Sequence, residues 1–529
     1  MREFTLFVDG KDVDTGKYEY FPYADQVILD FKKTYQTITK LKKGEIPEDV
    51  DKYIYARYCV GDNELNKKAI EAAYRASKKF RDFHVSKRKK ILYDISKYLT
   101  ENRDEFAKLF AIEGHPYGLA GWEYGGLEKV FSKASIDRYK DELWDELGHE
   151  GNERIYLVRK PDGVVVVVPP KNASASNSLI AAYALLAGNA LIIKPPLKAP
   201  IATIHLWKKV VNRALKENNA PDGIMNIILG NSKTMMEEWI SNSKVNDILF
   251  FGDSKQGLEI GMKAYANNKK AILELSGNDN LFVWDGCDVE GAATSAVDCF
   301  LGSTQICMVP KTLIVHEDIY ETFKNVMVEK TISLKYGLPS NPETCLTPVS
   351  KMSECEEALQ DAISKGGKLL CGGKRVDHNG IENKKGLYFQ PTLISIDSDN
   401  QSLLDIKCVK EENFFPVIPV IKVKSTKNNK FDRDKDIFEQ MIYFAEKNEY
   451  GLRASVWVQS AYYTRQFMKY LDKSGLLRIN SKHVEVSSYL ASHGGIGKTG
   501  GPHGEMNYVW QKTSHLQGIS LTRQENKKN

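Results

Sequence analysis

From residue 163 onward the chain is written in short β-branched and aliphatic runs separated by helix-length stretches, and few architectures accept that rhythm. Residues 163–168, 190–193, 225–228 and 247–251 form the runs, while 178–187 and 201–217 are long enough for helices. A parallel strand is buried on both faces and needs no polar alternation, and its partner is reached only through a long crossover, so the pattern predicts βαβ units in a parallel sheet. A sheet of this kind suits a nucleotide. A second alternating series has candidate strands at 271–275, 281–284, 312–315, 417–423 and 455–458, with helices at 289–301 and 319–329. This predicts a second α/β domain with its own sheet.

Upstream, residues 63–114 carry apolar positions at helical spacing (Ala69, Ile70, Ala73, Phe80; then Ile91, Leu92, Ile95, Leu99) and read as amphipathic helices. The stretch 23–59, rich in Lys, Asp and Tyr, reads as an elaboration on the first domain, and the tail 523–529 as disordered. At 529 residues the chain exceeds one compact core and divides into two or three domains. A formal charge of only +5, spread along the chain, gives no basic stripe for nucleic acid. The apolar runs fall far short of the roughly 20 residues a membrane helix needs, and Met1-Arg2-Glu3-Phe4 opens no signal segment, so the expectation is a cytoplasmic protein without membrane partners. The eight cysteines form no C-x-x-C pair, and no metal site is expected.

Two glycine-rich segments are candidates for phosphate contacts. Ser492-His493-Gly494-Gly495-Ile496-Gly497-Lys498-Thr499 approaches a P-loop but lacks its first glycine, and Gly500, Gly501, Pro502 and Gly504 exclude the helix that a P-loop requires. Gly252-Asp253-Ser254-Lys255-Gln256-Gly257 follows a predicted strand and opens a predicted helix, whose N-terminal amides suit a pyrophosphate. Asp253 is alternatively a helix cap.

With that turn, six further segments in this order resemble the aldehyde dehydrogenase superfamily: Pro169-Pro170-Lys171-Asn172, Ile193-Lys194-Pro195-Pro196, Leu273-Glu274-Leu275-Ser276-Gly277-Asn278, Gly302-Ser303-Thr304-Gln305-Ile306-Cys307, Glu411 to Val417, and Tyr450 to Trp457. Ile479-Asn480 and the glycine-rich loop from Gly494 to Gly500 complete the series, which spans about residues 160–505.

The resemblance implies a Rossmann-like cofactor domain (1–140 and 161–273), a second α/β catalytic domain (274–500), and a small β oligomerisation element (141–160 and 501–525) that builds homodimers or homotetramers through a hairpin near 155–159. It implies NAD(P)-dependent oxidation of a small-molecule aldehyde to a carboxylate. Cys307 matches the nucleophile, a thiolate that forms a thiohemiacetal able to release hydride. Asn172 matches the oxyanion donor, working with the Cys307 backbone N–H. Glu274, a charged residue closing an apolar strand, matches the base for deacylation. Lys194 matches the ribose lysine, while Glu412 and Phe414 match the nicotinamide pair and Gly252, Asp253, Ser254 and Gly257 the pyrophosphate turn.

Several departures bear on these expectations. Leu197 stands where NAD-preferring relatives carry a glutamate, which together with Lys198 favours NADP over NAD. Asp253 stands where a serine is usual, Lys311 where Arg is common, and Phe415 replaces a glycine. An acyl-transferring or acyl-reducing relative that uses coenzyme A thioesters, and a catalytically silent member of the fold, are the two alternatives.

Overall fold

The computed structural model describes residues 1–490 and 493–522, so the predicted disordered tail and Ser492 lie outside the described residues. Two seven-stranded sheets organise the chain. In the first, the order is Lys270–Glu274, Asp247–Phe251, Val164–Val168, Ala190–Ile193, Met225–Ile227, Leu6–Val8 and Lys11–Val13. The first five run parallel, and the N-terminal hairpin closes the far edge antiparallel. Numbered along the chain from Val164–Val168, those five lie 5-4-1-2-3 across the sheet, the doubly wound dinucleotide-binding order.

Val164 to Val167 are fully buried because helices cover both faces. Helix Asn63–Phe80 packs on strands Val164–Val168 and Ala190–Ile193. Its buried residues include Ala69, Ile70, Ala73, Ala76 and Phe80, and the Asp62 carboxylate caps it by accepting from Leu65 N–H at 3.1 Å. Losing that cap would cost about 1 kcal/mol.

The second sheet has the order Lys368–Cys371, Thr392–Asp397, Val417–Val423, Pro310–His316, Asp279–Val283, Arg453–Trp457 and Leu476–Ile479. Only the first strand is antiparallel. Side chains alternate between its two faces, so Phe282 and Ile314 join one core cluster while Leu281, Val283, Leu313 and Val315 join another.

Three differences from the sequence reading have physical causes. The strand expected at 271–275 in the second series belongs to the first sheet, because the crossover helix Ser254–Ala266 returns the chain to the edge beside Asp247–Phe251. The helix expected at 178–187 is two, Ser174–Ile180 and Tyr183–Ala187, because Ala181 and Ala182 tighten to i→i−3 hydrogen bonds. The helix expected at 289–301 is α-helical only over Val289–Ala296, then narrows to a 3₁₀ path that breaks at Leu301.

A third, smaller sheet joins Trp144–Glu150, Glu153–Pro161 and Ser514–Thr522 into a ribbon. Trp144, Leu147, Leu516 and Leu521 are exposed on it. The stretch 23–59 folds as helices Ala24–Leu29 and Phe31–Lys42 inserted between strands Tyr18–Pro22 and Ile54–Cys59. Among the described residues no helix is long and apolar enough to cross a membrane.

Candidate active site

The carboxyl ends of the first sheet's strands are where its order places a ligand, at the switch between Val164–Val168 and Asp247–Phe251. Pro169 to Asn172 leave the first of these strands, Gly252 and Asp253 leave the second, Lys194 follows Ala190–Ile193, and Glu274 ends Lys270–Glu274. A cleft of about 1130 Å³ opens over this edge, and Asn172, Glu274, Cys307, Glu412 and Phe414 all line it.

Cys307 sits on a loop whose backbone is unusual. Gly302, Ser303 and Thr304 have φ of 58°, 52° and 64°, a left-handed run costly for the two residues with a Cβ. Cross-loop bonds hold it: Ser303 Oγ donates to Thr347 O at 2.8 Å and accepts from Thr347 N–H at 2.9 Å. Gln305 is clamped on both ends of its amide, donating to Thr347 Oγ1 and Pro348 O and accepting from Ser350 N–H and Oγ–H. The Asn172 amide donates to Gln305 O at 3.0 Å, leaving its second hydrogen for another acceptor. Lys311, fully buried, sends its three hydrogens to Thr304 O, Ile306 O and Asn413 O, each at 2.8 Å. One ammonium thus ties the cysteine loop to the loop of Glu412 and Phe414.

Burial sets the electrostatics of this site, in which Lys311 and Arg453 are the cations. Burial, with the carboxylates of Glu274 and Glu412, pushes the Cys307 thiol well above its ordinary pKa, and Lys311 opposes them. Burial raises Glu274 to about 8, against the pull of Arg453 and a hydrogen bond from Asn507. His493 Nδ1 lies 3.1 Å from Glu274 Oε1, and burial drops that imidazole to about 3, so it stays neutral. Glu412, also raised by burial, accepts from Gly277 N–H at 3.0 Å.

On the other side of the cleft the cations predominate. Lys171 and Lys198 line it, and Lys194 is buried nearby with its pKa lowered by burial to about 8. Partial burial and the neighbouring Lys198 both lower Lys171. Among the described residues none of the three has an acidic partner within 4 Å, the signature of a place for an anion. Leu197 faces the cleft without a carboxylate, and its carbonyl accepts from Tyr58 O–H at 2.7 Å.

The glycine turn is built for packing as much as for a ligand. Asp253 turns its carboxylate into the cap of helix Ser254–Ala266, accepting from Gln256 N–H at 3.1 Å. Ser254 Oγ donates to Lys498 O at 2.7 Å, and a Cβ on Gly257 would meet Leu275 Cδ2 at 2.1 Å. Ser254 and Gly257 therefore serve the fold, while Gly252 and Asp253 line the cleft. The inserted helix Phe31–Lys42 supplies a rim through Tyr35, Ile38 and Lys42, a contribution with no motif to announce it. Phe415, where a glycine is usual, lines the cleft beside Phe414 and also packs into the second domain's core.

A second, much smaller cavity of about 50 Å³ lies against the first, and Cys307 and Asn172 line both. Its wall also takes in Glu123, Ser176, Asn177, Arg453 and His493, none of which sequence reasoning singled out for this role. They come from distant segments and acquire a common purpose only in three dimensions.

The described aldehyde dehydrogenase family matches the chain over residues 40–519. The lactaldehyde dehydrogenase of Methanocaldococcus jannaschii is 30% identical over 466 residues, covering 87% of this chain and 93% of its own length. The NADP-dependent D-glyceraldehyde dehydrogenase of Thermoplasma acidophilum is 29% identical over 458 residues, 84% of this chain and 86% of its own. Among solved structures, the glyceraldehyde-3-phosphate dehydrogenase of Methanocaldococcus jannaschii complexed with NADP superposes with a TM-score of 0.74 at 29% identity, covering 88% of this chain and 95% of that one.

Proposed function

The chain belongs to the aldehyde dehydrogenase family, and from that premise we propose that it oxidises a short aldehyde to its carboxylate with NADP, through a thioester on Cys307. The observation that carries this reading is the position of Cys307 and Asn172 at the junction of the two cavities, one large enough for a dinucleotide and one for a small aldehyde. Lys171, Lys194 and Lys198, uncompensated among the described residues, fit the cofactor's phosphates, and the amides opening helix Ser254–Ala266 fit its pyrophosphate. Leu197 in place of an acid supports NADP over NAD, as do the NADP-dependent relative and the NADP-bound neighbour.

The Cys307 thiol passes its proton to Glu274, whose raised pKa matches that task, as sulfur adds to the aldehyde carbon. The free Asn172 amide hydrogen and the Cys307 N–H hold the resulting oxyanion. NADP, when bound, supplies the hydride acceptor that converts the thiohemiacetal to a thioester. Glu274 releases that proton to solvent, takes another from the water that attacks the thioester, and passes it to the departing Cys307 sulfur, so the thiol reforms as the carboxylate leaves. The buried base beside the thiol supports water rather than coenzyme A as acyl acceptor.

Residues 1–140 and 161–273 serve the cofactor in this reading, and 274–500 carry the nucleophile. Residues 141–160 and 501–525, of which 523–525 lie outside the described residues, join copies into a homodimer or homotetramer. Two open strand edges with exposed Trp144, Leu147, Leu516 and Leu521 support that role. A reducing cytoplasmic setting suits a catalytic group that must remain a thiol. The test is product stoichiometry: lactaldehyde or glyceraldehyde with NADP should give one carboxylate per reduced cofactor without coenzyme A. An absolute requirement for coenzyme A, with an acyl thioester as product, would overturn the hydrolytic reading.

A further inference from the structure

The small cavity is walled mainly by apolar side chains, among them Trp122, Leu127, Val130, Ile306 and Met308, but a few buried polar groups are set into that wall. Arg453 is nine-tenths buried and lines it beside Cys307. Its Nη1 donates to His483 O at 3.1 Å and Glu485 O at 3.2 Å, and its backbone N–H donates to Asp279 Oδ1 at 3.0 Å. The other oxygen of Asp279 is taken by His483 Nε2 at 3.2 Å. Among the described residues no carboxylate lies within 4 Å of the guanidinium, and its Nε and Nη2 hydrogens have no protein acceptor. Burial lowers its pKa only to about 10, so the charge persists at neutral pH. A buried cation without a paired acid is expensive, which favours a ligand oxygen as the missing partner.

Glu123, also more than nine-tenths buried, lines the same cavity. One of its oxygens is bonded to His115 Nε2 and the other accepts from Ser176 Oγ at 2.7 Å, so each keeps an acceptor site. The cavity therefore offers both a cationic donor and a carboxyl acceptor. An alkyl aldehyde would satisfy neither, and an aldehyde carrying a carboxylate would suit Arg453 but bring no donor to Glu123. A hydroxyl both donates and accepts. At about 10–15 Å³ for each water-sized group, a volume of about 50 Å³ admits only a few heavy atoms.

We propose that Arg453 and Glu123 are the specificity residues of this enzyme, reading the hydroxyl of a two- or three-carbon 2-hydroxyaldehyde held at Cys307. The inference rests on the aldehyde-oxidising reading above. The experiment compares kcat/KM for lactaldehyde, propanal and malonic semialdehyde in the wild type, Arg453→Met and Glu123→Gln. The wild type should prefer lactaldehyde to propanal by about ten- to a hundredfold, the usual range for a buried hydrogen bond to a charged group. Each variant should bring that ratio towards one, chiefly by losing lactaldehyde. Should Arg453→Met fold poorly, competitive inhibition of the wild type by 1,2-propanediol, stronger than by 1-propanol, tests the same hydroxyl site. An unchanged ratio in both variants, equal inhibition by the two alcohols, or a wild-type preference for the semialdehyde that Arg453→Met removes, would each overturn the proposal. Failure to oxidise any of the three aldehydes would instead count against the aldehyde-oxidising reading itself.

Discussion

The two cavities that meet at Cys307 are built on opposite principles. The larger is an open cleft along strand ends, lined by lysines and exposed backbone, and it can hold a long anion through distributed charge. The smaller is mainly apolar, with a few buried polar groups such as Glu123 and Arg453 set into its wall. Affinity in the first comes from many modest contacts, whereas selectivity in the second comes from a few groups that are costly to leave unsatisfied. Substitutions should therefore separate the two sides, and a residue at the junction should affect both.

The largest effect is expected at the junction. Cys307→Ala should lower turnover by at least about 10⁴-fold, because it removes the covalent step while creating little space. Titration of NADP by fluorescence and thermal unfolding should change little. Residual activity within tenfold of the wild type would mean that another group is the nucleophile.

Next comes the base. Glu274→Gln should reduce steady-state turnover by about 10²–10⁴-fold, the range for a positioned general base. If its main burden is deacylation, a burst of reduced cofactor should precede the slow phase and the acyl-enzyme should be visible by intact mass. Loss of the burst as well would assign Glu274 mainly to activating the thiol. The wild-type rate should climb with pH and level off above about 8, as Glu274 becomes a carboxylate. Stability runs the other way. An acid whose folded pKa is raised from 4.5 to about 8 favours the folded state fully at low pH and loses that contribution as pH rises through this window. Glu274→Gln should remove this pH dependence from the unfolding temperature between about pH 4.5 and 8, the span set by those two pKa values.

The smallest effect belongs to the open cleft. Lys198→Ala should weaken NADP by about five- to tenfold while leaving NAD nearly unchanged, since a partly exposed lysine gives up a screened contact with one phosphate. Equal losses for both cofactors would show that Lys198 does not read the 2′-phosphate.

What the sequence discloses follows the same division. Ala190–Ile193 and Val417–Val423 are readable to the residue because a strand buried on both faces is an unbroken apolar run. Lys368–Cys371, an edge strand that is half exposed, and the short Leu476–Ile479 carry no such signal. The strand Lys270–Glu274 is visible, but chain order alone does not say which sheet receives it. Cys307, Glu274 and Asn172 are legible as members of ordered motifs. Glu123 and Arg453 are not, since an acid within a helix and an arginine beside a strand look like ordinary surface residues until the fold buries them.

The late segment from His493 to Asn507 braces the strand end that carries Glu274: Thr499 O accepts from Leu275 N–H, Thr499 Oγ1 donates to Ser276 O, and Asn507 donates to Leu273 O. Beyond it, Trp510 stacks on Tyr139 with ring centres 3.6 Å apart, returning the chain to the half that was made first. A ribosome thus finishes Glu274 long before it delivers the residues that brace its strand end. Domains emerging in order can begin to fold separately, but the strand end that carries Glu274 acquires these bonds only once residues 499–507 have been made.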